Sequence, residues 1–302
     1  MSPAPAYLSL LQSGELRERV REAQDFLASC ESCGWSCKVD RRSEAKGVCR
    51  TNGQARVSSY GPHPGEEKPL SGWRGSGTIF FSHCNMRCQF CQNFEISQEI
   101  GGEETGPEQV AEIMLELQAC GCHNINLVSP THVVSPIITA VAIAAQAGLH
   151  IPLVYNTGGY DSIQVIKLLD GIIDIYMPDM KYANPQVALH YSKIPHYPQT
   201  NQAAVREMHR QVGDLVLDEN GIAERGLIVR HLVLPNGLAG TQTIAQFLVQ
   251  EISPDTYFNL MDQYHPAYRI AQYPRLNRRL KPQEYQAAFE SALQAGLHRF
   301  AD

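Results

Sequence analysis

Three cysteines, Cys84, Cys88 and Cys91, stand within eight residues at C-x3-C-x2-C spacing, in Cys84-Asn-Met-Arg-Cys88-Gln-Phe-Cys91. Thiolates at this density are soft ligands, and iron–sulfur clusters are held by cysteine thiolates. Three thiolates reach three irons of a four-iron cluster and leave the fourth open to a small ligand. An open coordination position is likewise what separates a catalytic zinc site from a closed structural one. A zinc ion with three local cysteines and a remote fourth ligand is the competing reading of the spacing. A second group, Cys30, Cys33, Cys37 and Cys49, offers four soft ligands. Such a closed site holds either zinc or an iron–sulfur cluster, so its role would be structural or electron-transferring. Lys38, Arg41, Arg42, Lys46 and Arg50 around it would offset thiolate charge, or would form a solvated basic loop. Cys120 and Cys122, the remaining two of nine cysteines, flank Gly121 between a helix and a strand and read as packing residues.

From Gly72 onward the chain alternates strand, loop and helix. Candidate strands are 77–81, 124–128, 152–156, 172–177, 227–233 and 256–260, each short, apolar and bounded by polar or Gly/Pro segments. Thr105-Gly-Pro-Glu108 reads as a capping box ahead of an apolar stripe of Val110, Ile113, Met114 and Leu117. A nearly all-apolar helix is expected at 135–147, others at 161–169 and 241–251, and a last one from Pro282 to a stop at Gly296. Strands alternating with helices predict a parallel sheet. Six units are too few for a closed eight-stranded barrel. The expected fold is therefore α/β: an open six-unit (β/α) partial barrel of parallel strands over residues 71–302, with a small amino-terminal Cys-rich module over residues 1–70. In that module Ser13 would cap a helix with Leu16, Val20, Ala23 and Leu27 on one face, and 61–65 would be an irregular connection. Parallel α/β folds gather their sites at the carboxyl ends of strands. The first cysteine of the triplet follows Phe81, the end of the first strand, by three residues, which places it at that end. Polar groups recur at the other strand ends: Ser129-Pro-Thr131-His132, Asn156-Thr157, Asp179-Met-Lys181, Arg230-His231 and Gln263-Tyr-His265-Pro266.

The octapeptide, with aromatic Phe90 before its third cysteine, resembles the cluster motif of the radical S-adenosylmethionine (SAM) enzymes. The resemblance implies a 4Fe–4S cluster on Cys84, Cys88 and Cys91, whose open iron takes the amino and carboxylate groups of SAM. It also implies one-electron cleavage of SAM to methionine and a 5′-deoxyadenosyl radical. Within that family the chain is similar to a subgroup resembling the pyruvate formate-lyase activating enzyme. That likeness covers nearly the whole chain. It rests on the amino-terminal cysteine segment, Ser71-Gly-Trp-Arg-Gly-Ser-Gly77, Cys91-Gln-Asn93, Ser129-Pro-Thr-His132 and Gln263-Tyr-His-Pro266.

The subgroup implies an oxidoreductase whose radical takes hydrogen from a glycine Cα of a partner glycyl-radical enzyme, with a flavodoxin- or ferredoxin-type reductant. The site roles it implies are these. Phe90 packs beside adenine, while Asn93, Ser129, Thr131, His132, Asn156, Thr157, Asp179, Lys181 and His231 bind or orient SAM. Ser129 or Thr131 would accept from the ammonium, and His132 would donate to the ribose or to substrate. Asn156, Thr157 and Asp179 are candidate ligands of a monovalent cation, which hard oxygens suit; a buried Asp179–Lys181 pair serving structure is the alternative. Many members carry Gly-Gly-Glu at the end of strand two. Here Gly101-Gly-Glu103 stands ahead of the first helix, where a solvated turn is expected, and Ser129-Pro-Thr-His132 takes the position instead. Two other readings stay open. One is radical modification of a small molecule, nucleoside or peptide, with Tyr155, Tyr160, Tyr176 and His265 lining the pocket. The other is an iron–sulfur protein that transfers electrons or binds a partner without cleaving SAM.

Composition bounds these readings. With 302 residues, 43% of them hydrophobic, a sizeable core is feasible. A net charge of −6 disfavours general nucleic-acid binding, which needs a basic footprint. No apolar run approaches membrane-spanning length, and the first residues lack the apolar core of a signal peptide. The expected compartment is the cytoplasm, with no membrane partner, and there cysteines serve metals or redox chemistry rather than disulfides.

Overall fold

All six expected strands are present in the computed structural model, which describes residues 4–43, 45–99 and 101–301. In chain order the elements are α1 (Ala6–Ser13), α2 (Glu15–Ala28), β1 (Ala55–His63), α3 (Lys68–Ser71), β2 (Ser76–Phe81), β3 (Glu103–Thr105), α4 (Pro107–Ala119), β4 (Ile125–Val128), α5 (Val134–Gln146) and β5 (Leu153–Thr157). There follow α6 (Ile163–Leu168), β6 (Ile175–Pro178), α7 (Pro185–Ser192), α8 (Tyr197–Val212), β7 (Val216–Leu217), β8 (Ala223–Leu232), α9 (Thr241–Phe247), β9 (Tyr257–Met261) and α10 (Pro282–Ala295). Strands β2, β4, β5, β6, β8 and β9 pair in that order, all parallel. Helices lie in each crossover, as parallel pairing demands. This is the open six-unit partial barrel. Antiparallel β1 and β3 extend the sheet beyond β2, and β7 pairs antiparallel with β8.

Alternation along the strands sorts the core. Ile125, Leu127, Tyr155, Tyr176, Leu227 and Val229 pack outward in one cluster with helix residues such as Ile137, Val165 and Val205. Val154, Ile175, Met177 and Ile228 turn the other way, into the lumen, around Leu70 of α3. The segment bearing α3 spans the barrel's open side. The amide of Asn124, just before β4, donates to the Leu70 carbonyl at 2.9 Å, and the amide of Asn259 on β9 donates to Glu67 Oε1 at 2.8 Å. Because of this, Glu66 and Glu67 are held inside the barrel.

Several local expectations need correction. Ser13 ends α1 rather than capping a helix; Gly14, at φ 82°, makes the break that lets α2 start. The stretch 61–65, expected to be irregular, contains the end of β1, which pairs with β2 from Val57↔Phe81 to His63↔Ser76. That pairing crosses the expected boundary near residue 70, and Tyr7, Leu16, Ala23, Ala55 and Val57 lie in the same buried cluster as the barrel's helices. The cap of α4 is Gly106, whose N–H donates to Gln109 Oε1 at 3.1 Å; with no side chain at the cap, only this half of a capping box forms, one residue later than Thr105–Glu108. Gly101-Gly-Glu103 is no free turn: Gly102 N–H donates to Ser82 Oγ at 2.7 Å, and Glu103 opens edge strand β3. Between β6 and β8 stand two helices that no assigned segment had anticipated. Asn184 starts the first, its Oδ1 accepting from the N–H groups of Gln186 and Val187. Among the described residues no helix is long and apolar enough to cross a membrane.

Candidate active site

The loop after β2 carries the cysteine triplet, and its shape is fixed from outside. The N–H groups of Arg87 and Gln89 donate to the carbonyls of Ser192 and Tyr191, at 3.1 and 2.8 Å. The indole of Trp35 donates to the Asn85 carbonyl at 2.7 Å, and the Asn85 amide donates to the Tyr160 carbonyl at 3.0 Å. The sulfurs are individually addressed: Met86 N–H approaches Cys84 Sγ at 3.3 Å, Ser192 Oγ donates to Cys88 Sγ at 3.0 Å, and Ser97 Oγ lies 3.2 Å from Cys91 Sγ. Burial pushes the thiols of Cys84 and Cys88 up to about 12 and about 11, with the Lys181 ammonium pulling Cys88 back. Bare thiolates are therefore disfavoured here, and a cationic group would be needed to draw them out. Among the described residues, no three His, Cys, Asp or Glu side chains converge as ligands of a single metal ion. Three cysteines on one loop, each sulfur with its own hydrogen-bond partner, make a donor set that fits a 4Fe–4S group held by Cys84, Cys88 and Cys91. Phe90 is buried edge-on against Tyr182 and Tyr264, whereas Asn93 is exposed.

The ends of β4 and β5 are tied together by a carboxylate absent from the sequence-derived site. Asp161 is fully buried and accepts from Thr131 Oγ1 at 2.7 Å, Thr157 Oγ1 at 2.7 Å and Tyr155 Oη at 2.9 Å. Burial raises its pKa and the three hydroxyls restrain the rise. Thr131 and Thr157 thus have their hydroxyl protons committed to Asp161, which leaves only their oxygen lone pairs to serve a ligand or cation. Ser129 holds a left-handed φ of 58° at the strand end, where a side chain is strained, and its N–H donates to the Asn156 carbonyl at 2.9 Å. His132 faces the other way from the expected ribose contact. Its Nε2 lies 2.9 Å from the Ser82 carbonyl, its Nδ1 is buried without a partner, and it lines a small void with Ser32, Arg41 and Val134. Burial pushes it down to about 3, so it is neutral and Nε2 is the donor.

At the ends of β6 and β8 the charged groups do converge. Asp179 Oδ2 pairs with Lys181 Nζ at 2.5 Å, and Oδ1 accepts from Arg230 Nε at 3.0 Å. The Arg230 guanidinium also donates to Asn156 Oδ1 at 2.7 Å and lies 3.9 Å from Glu66 Oε2. Burial alone would raise the Asp179 carboxyl; Arg230 and Lys181 outweigh it and hold the group below its ordinary range. The inward residue of β8 is Arg230, not His231. His231 points out, its Nδ1 2.5 Å from the Met180 carbonyl and its Nε2 2.9 Å from Thr241 Oγ1, and burial pushes it down to about 4. Alternation made the choice between these neighbours a matter of one residue. Gly159 permits the close approach of this layer: at φ 73°, a Cβ would stand 2.4 Å from the Asp179 carbonyl oxygen. Deeper in the lumen, both amide atoms of Asn126 and Glu67 Oε2 are buried without partners. The rim residue His265 is exposed, its Nδ1 3.2 Å from Gln92 Nε2.

Comparison with known proteins agrees with this geometry. A family model described as the radical SAM superfamily matches residues 78–218, from β2 through the cysteine triplet to just past β7. The chain is 31% identical to the uncharacterized protein MJ0674 of Methanocaldococcus jannaschii, over 94% of this chain and 80% of that one. It is 24% identical to MJ0808 of the same organism, over 83% and 74%. Two solved structures share the fold at a TM-score of 0.50: HydG, a maturase of the [FeFe]-hydrogenase, at 10% identity, and Streptococcus suis SuiB bound to S-adenosylmethionine, at 11%. Each match covers 72% of this chain but only 48% of the other, so the chain spans about half the length of those two proteins. The triplet lies inside the matched region, just past the carboxyl end of the first barrel strand. The chain belongs to the radical SAM superfamily, which implies a 4Fe–4S cluster and SAM as its cofactors.

Proposed function

We propose that this radical SAM enzyme acts on a protein segment, in the manner of a glycyl-radical activase working on a partner's glycine. When bound, the cluster and SAM supply a 5′-deoxyadenosyl radical that takes hydrogen from the substrate. The chain's own residues then have separable tasks. Cys84, Cys88 and Cys91 hold the cluster, and Ser192 steadies Cys88. Lys181, drawn toward Asp179, leaves a positive charge beside Cys88 that suits a carboxylate. Asn156 and Ser129 present polar groups at the strand ends, and the Tyr182–Phe90–Tyr264 rings exclude water from one flank.

The observation that carries the protein-substrate reading is an open groove of about 740 Å³ along α7, lined by Val187, Leu189, His190, Tyr191, Leu238 and Arg275. Leu189 is left 46% exposed there. The same helix ends in Tyr191 and Ser192, whose groups hold Gln89, Arg87 and Cys88, so an occupant of the groove would lie against the support of the cluster. A wide, open groove of mixed polarity, which Asn184, Gln186 and Lys193 also line, suits a polypeptide loop better than an enclosed small molecule. The reading is tested with a candidate glycyl-radical enzyme labelled with deuterium at glycine Cα. Transfer of the label into 5′-deoxyadenosine is expected. Steady SAM cleavage with no label transferred from any glycine would count against it. A second reading has its own support: the buried polar group of Asn126, Glu66 and Glu67 inside the lumen is suited to a small polar substrate. Cytoplasmic location and a flavodoxin- or ferredoxin-type donor belong to the same proposal.

A further inference from the structure

Cys30, Cys33, Cys37 and Cys49 take no part in the site above, yet their surroundings are built. Cys30 N–H donates to the Val39 carbonyl at 3.0 Å and Lys38 N–H to the Cys30 carbonyl at 2.9 Å, closing a tight loop around Cys33 and Cys37. Inside that loop Ser36 and Lys38 hold left-handed φ values of 43° and 54°, and Arg50, beside Cys49, holds 64°. None is glycine, so strain is stored on both sides of Cys37 and next to Cys49. Gly47 keeps space open between two sulfurs: a Cβ there would stand 2.9 Å from Cys37 Sγ and 3.8 Å from Cys49 Sγ.

Charge makes the second argument. Arg41 is 3% exposed, its guanidinium 3.8 Å from Cys30 Sγ and 2.7 Å from Thr51 Oγ1, which in turn lies 3.1 Å from Cys49 Sγ. Its Nε is buried without a partner, and among the described residues no carboxylate pairs with it. A buried cation among neutral thiols is costly; among metal-bound thiolates it is offset. Arg87, also without a carboxylate among the described residues, touches both cysteine sets. It donates to the Val48 carbonyl beside Cys49 and to the Cys84 carbonyl at 3.4 Å. Trp35, which stands between Cys33 and Cys37 in the chain, makes a second bridge through its bond to Asn85.

Redox capacity separates the metals. Zinc has no redox chemistry, whereas an iron–sulfur cluster tied to the triplet loop through Arg87 and Trp35 can pass an electron to it. We propose that Cys30, Cys33, Cys37 and Cys49 hold a second iron–sulfur cluster. It takes one electron from a flavodoxin- or ferredoxin-class donor and passes it to the cluster on Cys84, Cys88 and Cys91. The electron balance is simple: the donor is oxidised by one electron, the second cluster is reduced and re-oxidised, the first is reduced, and no bond or proton changes place. Lys46 and Arg50 are exposed beside this site and would favour an acidic donor. The relay rests on the radical SAM reading of the first site; the second cluster does not.

The test uses the full chain, reconstituted anaerobically with iron and sulfide. The Cys84→Ala, Cys88→Ala, Cys91→Ala variant should retain about four irons per chain and give, on reduction, a paramagnetic signal that SAM does not alter. A folded variant holding zinc, or no metal, would overturn the second cluster. As a check independent of that variant's folding, wild type should carry about twice the iron of Cys30→Ala, Cys33→Ala; equal iron in the two would also overturn it. In Cys30→Ala, Cys33→Ala the first cluster should still respond to SAM after dithionite reduction but lose its fast reduction by reduced flavodoxin in stopped flow. Wild-type kinetics there would overturn the relay and leave the radical SAM assignment standing.

Discussion

Glu66 allows the charged lumen to be tested in numbers. Burial pushes its carboxyl from an ordinary 4.5 up to about 7; Arg230 pulls it down and Glu67 adds to the rise. Its side chain is only 10% exposed, so solvent screening is weak. Below pH 4.5 the carboxyl is protonated in both the folded and the unfolded chain, and the site carries no penalty. As pH rises from there to about 7, the unfolded chain gives up the proton while the folded one keeps it, so folding loses stability; above about 7 the loss is complete. At about 1.4 kcal/mol per pKa unit, the change between about pH 5 and about pH 8 comes to about 2.5 kcal/mol. Glu66→Gln keeps the shape and removes the titration. Urea unfolding of wild type and variant at both pH values, followed by circular dichroism with the cysteines kept reduced, reads Glu66 together with its coupled neighbour Glu67, while the titrations of distant groups cancel in the difference. The variant should gain about 2.5 kcal/mol on wild type between the lower and higher pH. A difference that stays flat, or that shifts toward wild type, would refute the picture of a buried, proton-holding Glu66.

Other outcomes follow from the same layer. Arg230→Met removes the shared partner of Asp179, Asn156 and Glu66; it should cost about 3 kcal/mol or more, and the loss in a melting experiment should be larger at neutral pH than near pH 4, where Glu66 is protonated and has no charge for Arg230 to offset. Ser192→Ala removes the hydroxyl that donates to Cys88 Sγ. Because hydrogen bonds to sulfur raise a cluster's potential, a redox titration followed by paramagnetic resonance should find the first cluster at a more negative potential. His231→Leu breaks two buried hydrogen bonds and should cost about 2 kcal/mol, while SAM affinity measured by calorimetry stays at the wild-type value; weakened SAM binding in a folded variant would return His231 to the site.

The parallel strands were legible because each is a short apolar run cut off by polar or Gly/Pro residues, and the triplet was legible because C-x3-C-x2-C is a local pattern. The lumen was not, since its members come from distant segments: Glu66 from the span across the open side, Asp161 from the loop after β5, Ser192 from the end of α7. Nothing local in Asp161 distinguishes a helix start from a buried hub; only the convergence of Thr131, Thr157 and Tyr155 on it does. Arg230 and His231 show the limit most plainly. Both are polar and sit near the same strand end, and the pleat alone decides which one meets Asp179. Helices α7 and α8 were missed because Pro, Asn and His punctuate their starts as they would a loop, and caps such as Asn184 are read only once the helix is known.

The central claim is that the triplet does radical SAM chemistry, and SAM cleavage tests it most directly. The anaerobically reconstituted chain is reduced with SAM bound and 5′-deoxyadenosine is assayed, with the Cys84→Ala, Cys88→Ala, Cys91→Ala variant alongside. The account predicts 5′-deoxyadenosine and methionine in equal amounts from wild type and none from the variant. Intact SAM on a loaded, fully reduced first cluster, or cleavage that persists without the three cysteines, would contradict it.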